Sequence, residues 1–217
     1  MKNTDNAIKS RITQKVLADE AWNISLDQTS QNTLIQELLD LAATAPYHYV
    51  CHESHSTGEL SSALPYRFYV LDTNNIRSLA HYIKEEKLSA GKILNMLEAA
   101  DLLFLVTWLP EPSKNEEAIL FEGNIKNMEH IAAASAAIQN VLIGASAREI
   151  PNYWSSGGVL KQASLKSHLN IPMQEILLGA IFLFPKDSEN KKGKIVEGKL
   201  RNTGKEKSTW AKNIEIS

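Results

Sequence analysis

DLLFLVTWL, residues 101–109, is apolar throughout except for its opening aspartate and Thr107. A run of that length suits a strand, and its lack of alternation means that both faces of the strand are covered. QEILLGAIFLFP (174–185) is a second strand of the same kind. PYRFYVLD (65–72) is a third, aromatic and β-branched, and opens with a proline that a first strand position tolerates. Helices dominate the rest of the chain. TSQNTLIQELLDLAATAP (29–46) sets Leu34, Ile35, Leu38, Leu39, Leu41 and Ala42 on one face, and Pro46 stops it. TNNIRSLAHYIKEEK (73–87) and SAGKILNMLEAA (89–100) are amphipathic helices. The longest helix lies within 124–150, with Met128, Ile131, Ser135, Ile138, Leu142 and Ala145 along one stripe among many alanines, as suits close packing against a neighbour or a twin.

Residues 6–17, NAIKSRITQKVL, read as a short helix followed by a turn; NYWSSGG (152–158) reads as a loop and VLKQASLKSHL (159–169) as a short helix. Residues 186–217 are polar and basic, and are expected to be extended. Three clear strands among more numerous helices predict an α+β class in one domain spanning 1–217. The formal charge of −2 gives no general bias toward nucleic acid or anionic membrane. One cysteine excludes an intrachain disulfide framework and suits a reducing compartment. The first twenty residues lack the apolar run of a signal peptide, and no segment approaches roughly 18 continuous apolar residues. The expectation is a soluble, cytoplasmic protein.

APYHYVCHESH (45–55) gathers His48, Cys51, His52 and His55 and invites a metal reading. Structural zinc takes thiolates and imidazoles from two separated pairs. Here Cys51 and His52 are adjacent, so their side chains diverge, and no second pair follows; His81, His130 and His168 stand alone in helical patterns. A Cys–His nucleophilic pair fails on the same adjacency. The expectation is a polar loop with no bound metal. Two cationic clusters carry more chemistry. Arg11, Thr13 and Lys15 set a cation, a hydroxyl and a cation at alternate positions at a helix end, and Lys199 and Arg201 repeat the spacing on expected extended chain near the other end, where they can grip one target together. In extended chain, alternate residues point the same way. A guanidinium fork and an ammonium so placed suit a phosphate.

Taken in order, these signals resemble the FMN-dependent nitroreductase family over nearly the whole chain. The order is a basic N-terminal motif, an Ala-Pro loop leading to a Pro-aromatic-x-Phe strand, a buried strand, an Ala-rich helix, a Trp-Gly loop, a last core strand, then Lys-x-Arg. The resemblance implies a central, mainly antiparallel sheet surrounded by helices, with an extended C-terminal tail reaching the partner subunit. It makes residues 1–20 a basic phosphate-binding helix, 45–65 an inserted active-site loop and 186–217 the basic tail. It assigns Arg11, Thr13, Lys15, Lys199 and Arg201 to the FMN phosphate and ribityl. Pro46, Tyr47 and His48 fall at polar flavin contacts, and Cys51, His52 and His55 at the substrate side. GASAREIPNYWSSGG (144–158) makes Ser155, Ser156, Gly157 and Gly158 the turn whose backbone N–H groups reach the flavin. Lys92 and Asn95 both qualify for the ring's O2 and N3 edge. Ile12 stands where the family has a second basic residue, and the family's Ser, Asn and Gln of the Ala-Pro loop are not present as such.

The implied activity is a ping-pong cycle. NADH or NADPH reduces FMN, and an acceptor such as a nitroaromatic, quinone or activated alkene is then reduced in the same pocket. Flavin N5 carries the hydride, so no side chain is singled out as catalytic. The implied assembly is a homodimer with FMN at the subunit interface. The altered 45–65 loop leaves open a different redox task, dehydrogenation or reductive dehalogenation, or a weakly active flavin-binding or sensing role.

Overall fold

The computed structural model describes residues 3–56, 60–113, 120–198, 203–206 and 210–214. Four strands form the central antiparallel sheet: β2 (Tyr66–Leu71), β3 (Leu102–Trp108), β4 (Asn152–Ser155) and β5 (Ile176–Leu183), in the order β2-β3-β5-β4. β3 pairs along its length with both β2 and β5, and every one of its residues is buried. The alternation of side chains across a strand divides its apolar run between two cores. Leu103 and Leu105 face one, together with Ala180 and Phe182 of β5. Leu102, Phe104, Val106 and Trp108 face the other, with Ile181 and Leu183. That division is the physical content of the unbroken apolar run, and the sheet is covered on both sides.

The first side is covered by α3 (Thr73–Glu85), α4 (Lys92–Ala99) and α6 (Ala163–His168). The second is covered by α2 (Gln28–Ala43) and α5 (Ile125–Ala147), which pack on each other. α5 is long and apolar enough to cross a bilayer, yet its buried residues from Ala133 to Ala145 lie against α2 and the sheet. The predicted stripe splits. Ile138, Leu142 and Ala145 enter the core, while Met128 at the first turns is 59% exposed. The helices start on side-chain caps: Asp27, Asp72 and Asn124 accept the free N–H groups of α2, α3 and α5.

Three short strands depart from the expectations. The N-terminal helix α1 (Thr4–Ser10) stops before the basic motif, and β1 (Gln14–Leu17) follows it as extended chain, so residues 11–17 are not a turn and the basic motif is not helical. NYWSSGG contains β4, a four-residue edge strand held by β5, rather than a loop throughout. The tail folds back at β6 (Lys194–Glu197), which pairs antiparallel with β1 in a two-stranded sheet. Each of these strands is legible only through its partner. β6 brings two apolar residues, Ile195 and Val196, and β1 brings Val16, which is fully buried.

Candidate functional site

β1 lies between the tail and β4, and this sets out the candidate site. Thr13, just before β1, accepts through its carbonyl from Gly198 N–H at 2.8 Å. Lys199 and Arg201 follow Gly198 directly but lie outside the described residues. The pairing nevertheless fixes the root of the C-terminal cationic segment beside the N-terminal one. Arg11 donates from Nη1 to Thr13 Oγ1 at 3.5 Å, a long contact, and borders a cleft of about 190 Å³ with Ser146 and Asn152. One strand pitch further on, the Lys15 ammonium stands 4.9 Å from the centre of the Tyr153 ring on β4. The cation–π contact holds Lys15 along β4 without neutralising its charge.

Beyond β4 the chain turns through Ser155-Ser156-Gly157-Gly158. Gly157 and Gly158 take φ of +104° and +53°, which residues with a side chain rarely adopt. A Cβ on Gly157 would stand 2.8 Å from Leu177 Cδ2, and one on Gly158 would meet Ile93 Cγ1 at 3.2 Å. The turn is therefore pressed between the start of β5 and the first turn of α4. Ser155 Oγ accepts from Gly157 N–H at 3.2 Å, so that backbone donor is used internally. The N–H groups of Ser156 and Gly158 have no hydrogen-bond partner among the described residues. Leu177 is held in place from below. The buried Glu175 carboxylate accepts from Tyr69 Oη at 2.9 Å and Thr107 Oγ1 at 2.5 Å, and the Lys166 ammonium donates to the Met173 and Glu175 carbonyls. Burial, with the nearby carboxylate, pushes the Tyr69 phenol up, and burial pushes the Lys166 ammonium down. The sequence offered no signal for this network.

The two candidates on α4 are separated by their bonding. The Asn95 side-chain amide donates to Ala18 O at 3.0 Å and Asp19 Oδ1 at 3.2 Å, while the Asn95 backbone carbonyl accepts from Ala18 N–H. Its amide is spent holding α4 to the end of β1. Lys92 is exposed, makes no ion pair among the described residues, and lines an open groove of about 890 Å³ with Trp22 and residues 191–194.

The remaining predicted residues lie elsewhere. Pro46, Tyr47 and His48 follow α2, on the side of the sheet opposite α4 and β1, and the exposed His48 pairs through Nδ1 with Glu129 of α5 at 3.0 Å. The 45–65 loop and the 155–158 turn share one end of the sheet, since Tyr66, Trp108, Ile176 and Ser155 are its ladder residues there. They leave opposite edge strands, about 14 Å apart at three strand spacings. One chain sets Lys15 against β4 and Lys92 next to Ile93, which the glycine turn abuts, with Arg11 at the start of β4, and leaves Pro46–His48 apart from them.

The Cys51–His55 stretch is built around a residue that the sequence did not single out. Arg67, 4% exposed within β2, sends its guanidinium into the loop. It donates to the carbonyls of His55, Leu60, Ser62, Leu64 and Tyr66 at 2.6–3.4 Å, and lies 3.9 Å from the buried Cys51 Sγ. His52 caps the short 3₁₀ turn Glu53–His55. His55 Nε2 is 2.8 Å from Pro110 O, and His130 Nδ1 is 2.7 Å from the adjacent Leu109 O. Both histidines thus donate to the segment leaving β3. Among the described residues, no cluster of three His, Cys, Asp or Glu has a metal-binding arrangement.

Solved structures share this architecture. A nitroreductase-like family protein from Bacillus cereus aligns over 100% of this chain and 98% of its own, with a TM-score of 0.64 at 21% identity. A nitroreductase with bound FMN from Bacteroides fragilis aligns over 99% and 100%, at 0.57 and 17%. Nitroreductase CinD from Lactococcus lactis, in complex with nicotinic acid, covers 84% of this chain and 89% of its own, at 0.56 and 11%. No family model and no curated protein matches the sequence. At these identities the likeness establishes the fold: the chain has the α+β nitroreductase-like fold.

Proposed function

We propose that the protein is an FMN-dependent oxidoreductase of the nitroreductase type, reduced by NADH or NADPH and reoxidised by a small acceptor such as a nitroaromatic, quinone or activated alkene. The observation that supports this most is the meeting of the two ends of the chain. Gly198 N–H donates to the Thr13 carbonyl, so the chain that leads into the Lys-x-Arg motif departs from beside the N-terminal cationic segment, whose Lys15 lies against Tyr153 on β4, the strand that leads into the glycine turn. The FMN bound by the Bacteroides fragilis protein, which has the same fold, is the natural occupant.

The residues fit that cofactor. A phosphate needs cations and donors, which Arg11, Thr13 and Lys15 offer with Lys199 and Arg201. A flat ring approached by backbone needs a turn without side chains, and a Cβ at Gly157 or Gly158 would already collide with its own surroundings. When bound, FMN supplies the hydride chemistry. The chain supplies orientation: free N–H groups at Ser156 and Gly158 donate to polar ring atoms, and Lys92 places positive charge where negative charge develops. Tyr47 and His48, across the sheet, reach a flavin only if it belongs to a second copy of the chain. The exposed Tyr47, Tyr49, Val50, Ile125 and Met128 flank the His48–Glu129 pair and form an apolar surface suited to such a homodimer.

The purified protein is expected to be yellow, with the two flavin absorbance bands, and to bleach anaerobically with NADH or NADPH. Arg11→Ala or Arg201→Ala should weaken FMN retention by about 1.5–3 kcal/mol, the scale of hydrogen bonds to charged groups. A colourless preparation that takes up no added FMN refutes the proposal. Bound FMN that neither nicotinamide bleaches would move the protein to a flavin-binding or sensing role.

A further inference from the structure

Glu175, the residue before β5, is 5% exposed and is gripped at both its backbone and its side chain. Its carbonyl accepts from the Lys166 ammonium at 2.6 Å, and its carboxylate accepts from Tyr69 Oη and Thr107 Oγ1. Those donors come from α6, β2 and β3, and the same ammonium donates to the Met173 carbonyl at 2.9 Å. Taking a carboxylate and an ammonium out of water is costly, and apolar side chains of similar size would fill the space without that cost. A buried polar cluster whose members are all bonded makes one arrangement rigid, whatever its net effect on stability. Here the arrangement is the opening of β5. Val106 opposes Gly179 on that strand while the next residue, Thr107, opposes Leu177, so Leu178 is an extra residue and the strand is bulged. A bulge bends its strand and re-aims the side chains beside it. Thr107, at the bulge, is the residue that bonds Glu175, and Leu177, beside it, sends Cδ2 to within 2.8 Å of where a Cβ on Gly157 would stand.

We propose that Glu175 is a positioning residue for the flavin site: held by Tyr69, Thr107 and Lys166, it sets the bulged start of β5 and, through Leu177, fixes the glycine turn that offers the Ser156 and Gly158 N–H groups. Its effect on a cofactor rests on the flavin reading of that turn; its hold on Gly157 does not. Hydrogen bonds weaken steeply as their geometry departs from the ideal. Donors at the ring count most where negative charge develops, which is in the reduced cofactor. A loosened turn therefore weakens reduced FMN more than oxidised FMN, and the midpoint potential of the bound cofactor falls.

Thr107→Val deletes one donor to the carboxylate, and Glu175→Gln exchanges one accepting oxygen for an amide; both keep the shape of the side chain. Thr107→Ser keeps the hydroxyl. Val141→Ala, in the core on the other side of the sheet, loses stability without touching the cluster and is the control. Two measurements test the proposal: amide chemical shifts of the protein freed of FMN, and titration of oxidised and reduced FMN into each variant. Thr107→Val and Glu175→Gln should displace the Gly157 and Gly158 amide resonances, weaken oxidised FMN about tenfold and weaken reduced FMN further. Thr107→Ser should restore the parental values, and Val141→Ala should leave them alone. Parental turn resonances in both Thr107→Val and Glu175→Gln overturn the proposal. So does a weakening of FMN that Val141→Ala reproduces or that Thr107→Ser fails to restore. A parent protein that takes up no FMN overturns the flavin reading alone, and the turn resonances then decide whether Glu175 governs the turn.

Discussion

Asp101 makes a stability prediction that is independent of any ligand. Its carboxyl titrates near 3.8 when free and about 6 in the folded protein, because burial disfavours the charged form more than Ser25, Arg77 and Lys191 favour it. Between those values the folded chain holds a proton that the unfolded chain has released. Stability from this group is therefore full below about pH 4 and is lost as pH rises through about 6. A shift of about two pKa units corresponds to about 3 kcal/mol. Urea unfolding of the parent and of Asp101→Asn from pH 4 to pH 7.5 isolates the term, since the other carboxylates cancel in the difference. The stability of the parent relative to the variant should fall by about 3 kcal/mol across that window, with most of the change between pH 4 and 6. A difference that stays flat, or that rises with pH, would mean that Asp101 is solvated or paired in a way the packing around it does not show.

Four further substitutions probe the candidate site and its supports. Arg67→Met removes the guanidinium and leaves the carbonyls of Leu60, Ser62 and Leu64 unmatched; stability should drop by at least about 2 kcal/mol, with faster amide exchange at Cys51 and His55. Unchanged exchange there would show that the loop holds itself. Gly179→Ala would put a Cβ 2.0 Å from Trp154 Nε1 and 3.0 Å from Ser155 O, so the Trp154 indole or β4 itself must move. A loss of about 1–3 kcal/mol is expected, with altered Trp fluorescence and weaker FMN retention, and parental melting would refute the close packing. Lys92→Ala should weaken FMN retention without changing the melting temperature, whereas Asn95→Ala should cost about 1 kcal/mol of stability through its bonds to Ala18 and Asp19. The reverse pattern would exchange their roles.

The elements that read correctly carry their own evidence. β3 is buried on both faces, so its sequence has no reason to alternate, and α2 carries a complete apolar face and a proline stop. The elements that misread are those whose stability comes from a neighbour. Ile8, Ile12 and Leu17 fall at near-helical spacing, but Leu17 belongs to a strand that exists because β6 pairs with it. β4 spans four residues of a Ser/Gly-rich segment and is held by β5 on one edge. For the candidate site, the sequence puts residues 11–15 at a helix end, whereas the helix stops at Ser10 and the chain is strand from Gln14, and the glycine pair is the local sign of the positive φ values. The choice between Lys92 and Asn95 could not be read, because it turns on what the Ala18 carbonyl does.

The histidines show why local density misleads. Three of them crowd into residues 48–55, and proximity along the chain suggests a shared task. In space they separate: His48 turns to Glu129 on α5, His52 caps its own turn, and His55 reaches Pro110. The partner His55 does acquire is His130, distant in sequence, which bonds the preceding carbonyl, Leu109 O. A strand that leaves the sheet ends with carbonyls that no ladder satisfies, and buried carbonyls need donors. Imidazoles from two different elements supply them here. The density in the sequence thus reflects a loop that must bury its backbone, and Arg67, a lone cation in an otherwise apolar strand, is the group that lets it do so.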